Sequence, residues 1–127
     1  MEPPQVKWLL DSVILIDHFN GLAAATRYLA EVHADAAVSV VTRAEVLAGF
    51  DRRAARRAKR LLDSFPTLPI DQAVADAAAA LRRNMRWKLP DAFQVAIARS
   101  HRLKLVTRDR RDFPPEKHAF VVMPYQV

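Results

Sequence analysis

Short apolar runs alternate along this chain with stretches of helical period, and that order leaves few folds open. Val6 to Leu10, Ala36 to Val41, Thr67 to Ile70, Leu103 to Thr107 and Ala119 to Met123 are brief and mostly apolar, as in strands buried on both faces. Between them, apolar residues recur at helical spacing. Leu22, Ala25, Leu29 and Val32 mark one helix, and Asp51 to Phe65 predicts another, with Ala54, Ala55, Ala58, Leu61 and Leu62 turned inward. Ala73, Ala77, Ala80, Leu81, Met85 and Trp87 mark a long Ala-rich helix whose small residues imply close packing. Ser12 to Phe19 predicts a short helix ended by Asn20-Gly21, and Pro90 opens one over Asp91 to His101 that is apolar on most sides and so should be buried. The alternation predicts an α/β fold with a parallel sheet covered on both faces. At 127 residues, 51% of them hydrophobic and with no repeat or linker, residues 1–127 are expected to form a single domain.

Composition narrows the function. With 20 Lys and Arg against 14 Asp and Glu, the net charge of +6 favours polyanions if the positive charge is clustered. The most basic segment, Arg52 to Arg60, also reads as a solvated helix face. The chain has no cysteine, which removes disulfides, thiolate metal sites and thiol catalysis and fits a reducing interior. No stretch approaches the roughly 20 apolar residues of a membrane span. Met1-Glu-Pro-Pro-Gln lacks the layout of a signal peptide, so a cytoplasmic protein is expected. Two glycines and no Gly-x-Gly-x-x-Gly or Walker loop argue against a nucleotide cradle. His18, His33, His101 and His118 show no metal-ligand spacing and read as surface or packing residues.

Four carboxylates stand at or just after these apolar stretches: Asp11, Glu45, Asp91 and Asp109. In open α/β folds, functional groups gather beyond the carboxyl ends of the strands, so the four could converge. Each also has a local reading. Asp11, Asp91 and Asp109 suit helix caps or turns, and Thr42-Arg-Ala-Glu45 matches a capping box. Crowded together, four carboxylates would repel, raise some of their pKa values and destabilise the empty site, and a divalent cation would offset that repulsion. Magnesium takes oxygen ligands and keeps several waters, one of which could be activated beside a polarised phosphate.

The chain resembles the PIN-domain family, and within it the VapC-type toxins of bacterial type II toxin–antitoxin systems. The segments that carry the resemblance are Leu9-Leu-Asp-Ser-Val-Ile-Leu-Ile-Asp17, Ser39-Val-Val-Thr-Arg-Ala-Glu-Val-Leu-Ala-Gly49, Leu89-Pro-Asp-Ala-Phe-Gln-Val-Ala-Ile-Ala98 and Leu105-Val-Thr-Arg-Asp-Arg-Arg-Asp-Phe113, in the family's order. The resemblance implies a three-layer α/β/α sandwich with a mainly parallel central sheet. It implies a Mg2+- or Mn2+-dependent endoribonuclease in which water attacks phosphorus, leaving a 5′-phosphate and a 3′-hydroxyl. Asp11, Glu45, Asp91 and Asp109 fall on the family's acidic positions, Asp112 is a second candidate beside Asp109, and Asp17 reads as a supporting acid. Ser12, where the family often has threonine, and Thr107 could orient a carboxylate or a water.

Arg82, Arg83, Arg86 and Lys88, just before Asp91, are expected to hold RNA phosphates. The implied partners are a VapB-like antitoxin and a second copy in a homodimer. The helices from Leu22 to Phe65 are the expected antitoxin groove, because Phe50, Leu61, Leu62 and Phe65 exceed what one short core face requires. Two other functions compete: a non-catalytic PIN-like nucleic-acid-binding module, and a DNA-directed nuclease. Four acids favour the enzyme, because capping alone would accept Ser, Thr or Asn.

Overall fold

The computed structural model describes residues 6–127; the start from Met1 to Gln5, on which the absence of a leader was read, lies outside them. Strands β1 (Trp8–Leu10), β2 (Ala36–Ser39), β3 (Thr67–Leu68), β4 (Lys104–Val106) and β5 (Val121–Val122) form one sheet in the order β3-β2-β1-β4-β5. All of these pairings are parallel, with Leu9 opposite Ala37 and Leu105. Helices α1 (Ser12–Phe19), α2 (Ala23–Val32), α3 (Val40–Ala48), α4 (Arg52–Asp63), α5 (Gln72–Met85) and α6 (Leu89–Ser100) connect them.

Alternation of side chains along the strands produces the three layers. Leu9 and Leu105 pack with Val74 and Ala78 of α5 and with Val95 and Ile97 of α6. Leu10 and Val106, one residue on, pack the opposite way against Ile14, Leu15, Leu29, Val46 and Leu62 from α1 to α4. The expected α/β/α sandwich is therefore present, and the neighbour of Ala-rich α5 is α6. No helix of the described residues is long and apolar enough to cross a membrane.

Strand β1 is central, with β2 on one side and β4 on the other, so connections leave in opposite directions and open a crevice at the carboxyl ends of β1 and β4. The Asp11 amide donates to the Val106 carbonyl at 2.9 Å, which carries the ladder to the edge of that crevice.

Three local expectations change. Strand β2 stops at Ser39 rather than Val41, because the Ser39 hydroxyl accepts from the Thr42 amide at 3.0 Å and caps α3. Thr42 cannot form the capping box: its hydroxyl is buried and donates to the Leu10 carbonyl at 3.2 Å. Helix α1 is capped by Asp11 through the Ser12 amide, the local role that its position suits. In the expected antitoxin groove, Leu62 and Phe65 belong to the core, leaving Phe50 and Leu61 partly buried at its margin. Phe19 and Phe50 meet edge to face there, with ring centroids 5.3 Å apart, beside Arg53 and Arg57.

Candidate active site

Each of the four carboxylates is delivered by a different piece of backbone. Asp11 follows β1, Glu45 lies on α3, Asp91 stands in the first turn of α6, and Asp109 sits in the loop after β4. All four line one cleft of about 410 Å³, together with Ser12, Val13, Arg108, Arg110 and Arg111. Asp112 is exposed, is not among the lining residues, and instead donates its amide to Asp109 Oδ1 at 3.1 Å.

Asp11 is the most enclosed. Its Oδ1 accepts from the Ser12 amide at 2.9 Å and from Gln94 Nε2 at 3.3 Å, and its Oδ2 accepts from the Thr107 hydroxyl at 2.8 Å. Burial pushes its pKa up, while these hydrogen bonds oppose the rise. Thr107 also accepts from the Asp109 amide at 3.1 Å, so one hydroxyl links two of the acids. Asp109 Oδ1 accepts from the Arg111 and Asp112 amides, the turn role that its sequence context suggested.

Gln94 was not singled out from the sequence. It is buried and joins three elements: it accepts from the Ser39 hydroxyl at 2.6 Å, donates to Thr42 Oγ1 at 2.6 Å and donates to Asp11. A signal was available. Gln94 is the one amide within Ala92-Phe-Gln-Val-Ala-Ile-Ala98, and a buried polar group must find partners.

The outer carboxylates feel one another. Burial raises the Glu45 pKa, the charge on Asp11 adds to the rise, and the Ser12 hydroxyl opposes it by hydrogen bonding. Asp91 is pushed up to about 6, first by burial and then by Asp11, Asp112, Asp109 and Glu45. Burial and Asp109 likewise raise Asp112. The donor set is all oxygen with surplus negative charge, which suits a hard divalent cation. Among the described residues no three of these side chains are close enough together to hold one ion as they stand. An ion such as Mg2+ is bound through one or two carboxylates and keeps several waters, so it does not require three.

Asp17, read as a supporting acid, is buried behind the cleft. Its carboxylate accepts from Arg108 Nε and Nη2 and from the Tyr125 hydroxyl, and the hydrogen bonds from Arg108 hold its pKa below the ordinary range. The four cations expected to hold RNA are exposed, but none lines the cleft. Arg82 donates to the Trp87 carbonyl at 2.8 Å, closing the turn between α5 and α6, while Lys88 is near enough to lower the Asp112 pKa. The cations that do line the cleft are Arg108, Arg110 and Arg111. The histidines lie elsewhere: His18 bonds Thr26, His33 bonds Ser64, and His118 packs against Trp87 and Phe120.

Known proteins share both sequence and shape with this chain. The PIN domain family pattern matches residues 8–114. Ribonuclease VapC10 of Mycobacterium tuberculosis is 34% identical over 113 residues, which span 84% of this chain and 85% of that protein. A toxin–antitoxin complex from Klebsiella pneumoniae contains a chain that is 36% identical and superposes with a TM-score of 0.87, covering 95% of this chain and all of that one. FitAcB from Neisseria gonorrhoeae, at 22% identity and a TM-score of 0.76 over 94% of this chain and 99% of its own, shares the fold. The domain pattern, the identity carried along most of the chain and the common parallel sheet make this protein a member of the PIN-domain family, of the VapC type.

Proposed function

We propose that this protein is a metal-dependent endoribonuclease acting as the toxin of a type II toxin–antitoxin pair. The observation that carries the reading is the meeting of Asp11, Glu45, Asp91 and Asp109, from four separate elements, around one cleft. Capping does not account for the set. Asp11 and Asp109 do accept backbone amides, but Glu45 belongs to no capping box and Asp91 follows the Lys88 cap. Relatedness to Ribonuclease VapC10 and to a chain of a toxin–antitoxin complex supports the same reading.

Mg2+ or Mn2+ would be held among Asp11, Glu45, Asp91 and Asp109, by fewer than three of them at one ion as the side chains stand, with Asp112 in reserve beside Asp109. When bound, the ion supplies an activated water and neutralises charge at the phosphate. The protein's own groups do the positioning. Gln94, Thr107 and the Ser12 amide hold the Asp11 carboxylate in one orientation, the Ser12 hydroxyl favours ionised Glu45, and the cleft arginines draw the polyanion toward a site whose acids would otherwise repel it.

The reading includes a VapB-like antitoxin as the restraint on RNA cleavage, a homodimer, a single domain over residues 1–127 and action in the cytoplasm. The test is cleavage of single-stranded RNA and DNA with and without Mg2+ or Mn2+, beside Asp11→Asn. Metal-dependent RNA cleavage lost in the variant supports the reading; binding without cleavage favours the non-catalytic module, and cleavage of DNA alone favours the DNA nuclease.

A further inference from the structure

Arg108 is held by more contacts than a solvent-facing arginine needs. Its Nε and Nη2 both donate to buried Asp17, at 2.5 and 2.9 Å, and Tyr125 donates to the same carboxylate at 2.9 Å. These contacts tie α1, the loop after β4 and the segment after β5. They also occupy only one edge of the guanidinium. Nη1 has no hydrogen-bond partner among the described residues, where no buried side-chain nitrogen or oxygen is left unpaired, so Nη1 faces solvent. An arginine locked on one edge and open on the other has already lost the rotamer freedom that ligand binding would remove.

Location separates a ligand site from a simple staple of the fold. Arg108 and Arg110 line the acidic cleft and also a second cleft of about 420 Å³, shared with Met123, Tyr125 and Gln126. Arg110 is mostly exposed, and its ion pair with Glu116 is long, at 3.5 Å, so its charge is weakly engaged. Two guanidinium groups thus stand between a cleft lined by carboxylates and a cleft with an aromatic and a thioether wall. A single RNA strand has matching chemistry: a phosphate beside the one being cut, followed by a sugar and base that prefer aromatic contact.

We propose that Arg108 and Arg110 form a subsite for the RNA phosphate next to the scissile one, that the second cleft takes the attached nucleoside, and that Asp17 and Tyr125 are positioning residues for Arg108. This rests on the RNA reading of the acidic cleft. It assigns the phosphate contacts nearest the chemistry to the loop after β4 rather than to Arg82, Arg83, Arg86 and Lys88.

The test measures binding and cleavage of a single-stranded RNA hexanucleotide by the wild type and by Arg108→Gln, Arg110→Gln and Tyr125→Phe, with thermal unfolding of each. Arg108→Gln leaves Asp17 short of donors and could unfold the protein, so Arg110→Gln and Tyr125→Phe carry the decision in that event. Arg110→Gln should weaken binding about 10-fold, as for loss of a charge-assisted hydrogen bond, and lower the salt slope by about 0.7. Tyr125→Phe should raise KM about 3-fold with kcat unchanged, because it loosens Arg108 without touching the acids.

A scan that replaces each phosphate by a neutral methylphosphonate completes the test. One position should weaken wild-type binding, while the same replacement adds little to Arg110→Gln, the coupling expected of two groups in contact. If the RNA is cut but the variants keep wild-type affinity, KM and salt slope, the subsite is overturned and the nuclease reading stands. If RNA binds with the arginine-dependent slope but is not cut, Arg108 and Arg110 remain a phosphate site, while its place beside a scissile phosphate is overturned together with the nuclease reading. A wild type that neither binds nor cuts RNA overturns both.

Discussion

Asp11 and Asp91 line the same cleft, yet the protein treats them in opposite ways. Asp11 is enclosed, and burial raises its pKa, while the fixed dipoles of Ser12, Gln94 and Thr107, from which it accepts, oppose the rise and fix its orientation. Asp91 is only partly buried, yet burial first, and then the charges of the neighbouring carboxylates, push it up to about 6. The inner acid is organised before any ligand arrives. The outer acids are under mutual repulsion that only a proton or a cation relieves, so the site gains selectivity for positive charge at its rim and geometric definition at its base.

The largest effect should come from the base. Asp11→Asn should lower RNA cleavage by more than the roughly 100-fold that loss of an outer hydrogen-bond partner costs, read in single-turnover assays with the fold checked by circular dichroism. Cleavage within tenfold of wild type would break the distinction between a fixed inner acid and a soft rim.

Gln94→Leu sharpens it from behind. The change removes the acceptor of Ser39 and donors to Thr42 and Asp11, so urea unfolding should show a loss of about 1–3 kcal/mol. Mn2+ affinity, titrated directly, should fall by roughly 10- to 100-fold. A stability loss with unchanged affinity would make the network a core feature only.

Metal should act through the rim. At 100 times its Kd, Mg2+ or Mn2+ should stabilise the wild type by about 2.7 kcal/mol, and Asp91→Asn should lose most of that gain in a thermal shift assay. A full gain in the variant would remove Asp91 from the ligands.

The smallest effect is in metal-free protein. Because the folded pKa of Asp91, about 6, exceeds its ordinary 3.8, the protonated acid favours the folded state. Its contribution is therefore complete below 3.8 and lost as pH rises through about 6. Melting in EDTA should show the wild-type Tm falling over that window and Asp91→Asn flatter, with the variant higher by about 2–4 °C above it, after allowance for partial solvent screening. A variant that melts lower at neutral pH would mean that Asp91 stabilises the empty site.

Much of this arrangement was legible in the residues. The run Trp8-Leu-Leu10 and the Ala-rich stretch from Ala73 declare their elements by composition, and the acids stand at the ends of such runs. The capping box at Thr42 was misleading, because the same hydroxyl that suits a cap also suits a buried bridge to Leu10. Leu62 and Phe65 looked surplus only because the core on the side of α1 to α4 draws on four helices, which the count for one helix face underestimates.

By itself the sequence determined the alternation of strands and helices, the parallel sheet and the positions of the four acids, since periodicity and chain-end chemistry are local properties. Only the tertiary structure decided that Gln94 reaches Asp11, 83 positions away in the chain, that Asp109 rather than Asp112 lines the cleft, and that Arg108 is locked by Asp17 and Tyr125. Such pairings depend on which loops the sheet order brings to one edge, and a hydrogen bond between distant residues leaves no period in the sequence to read.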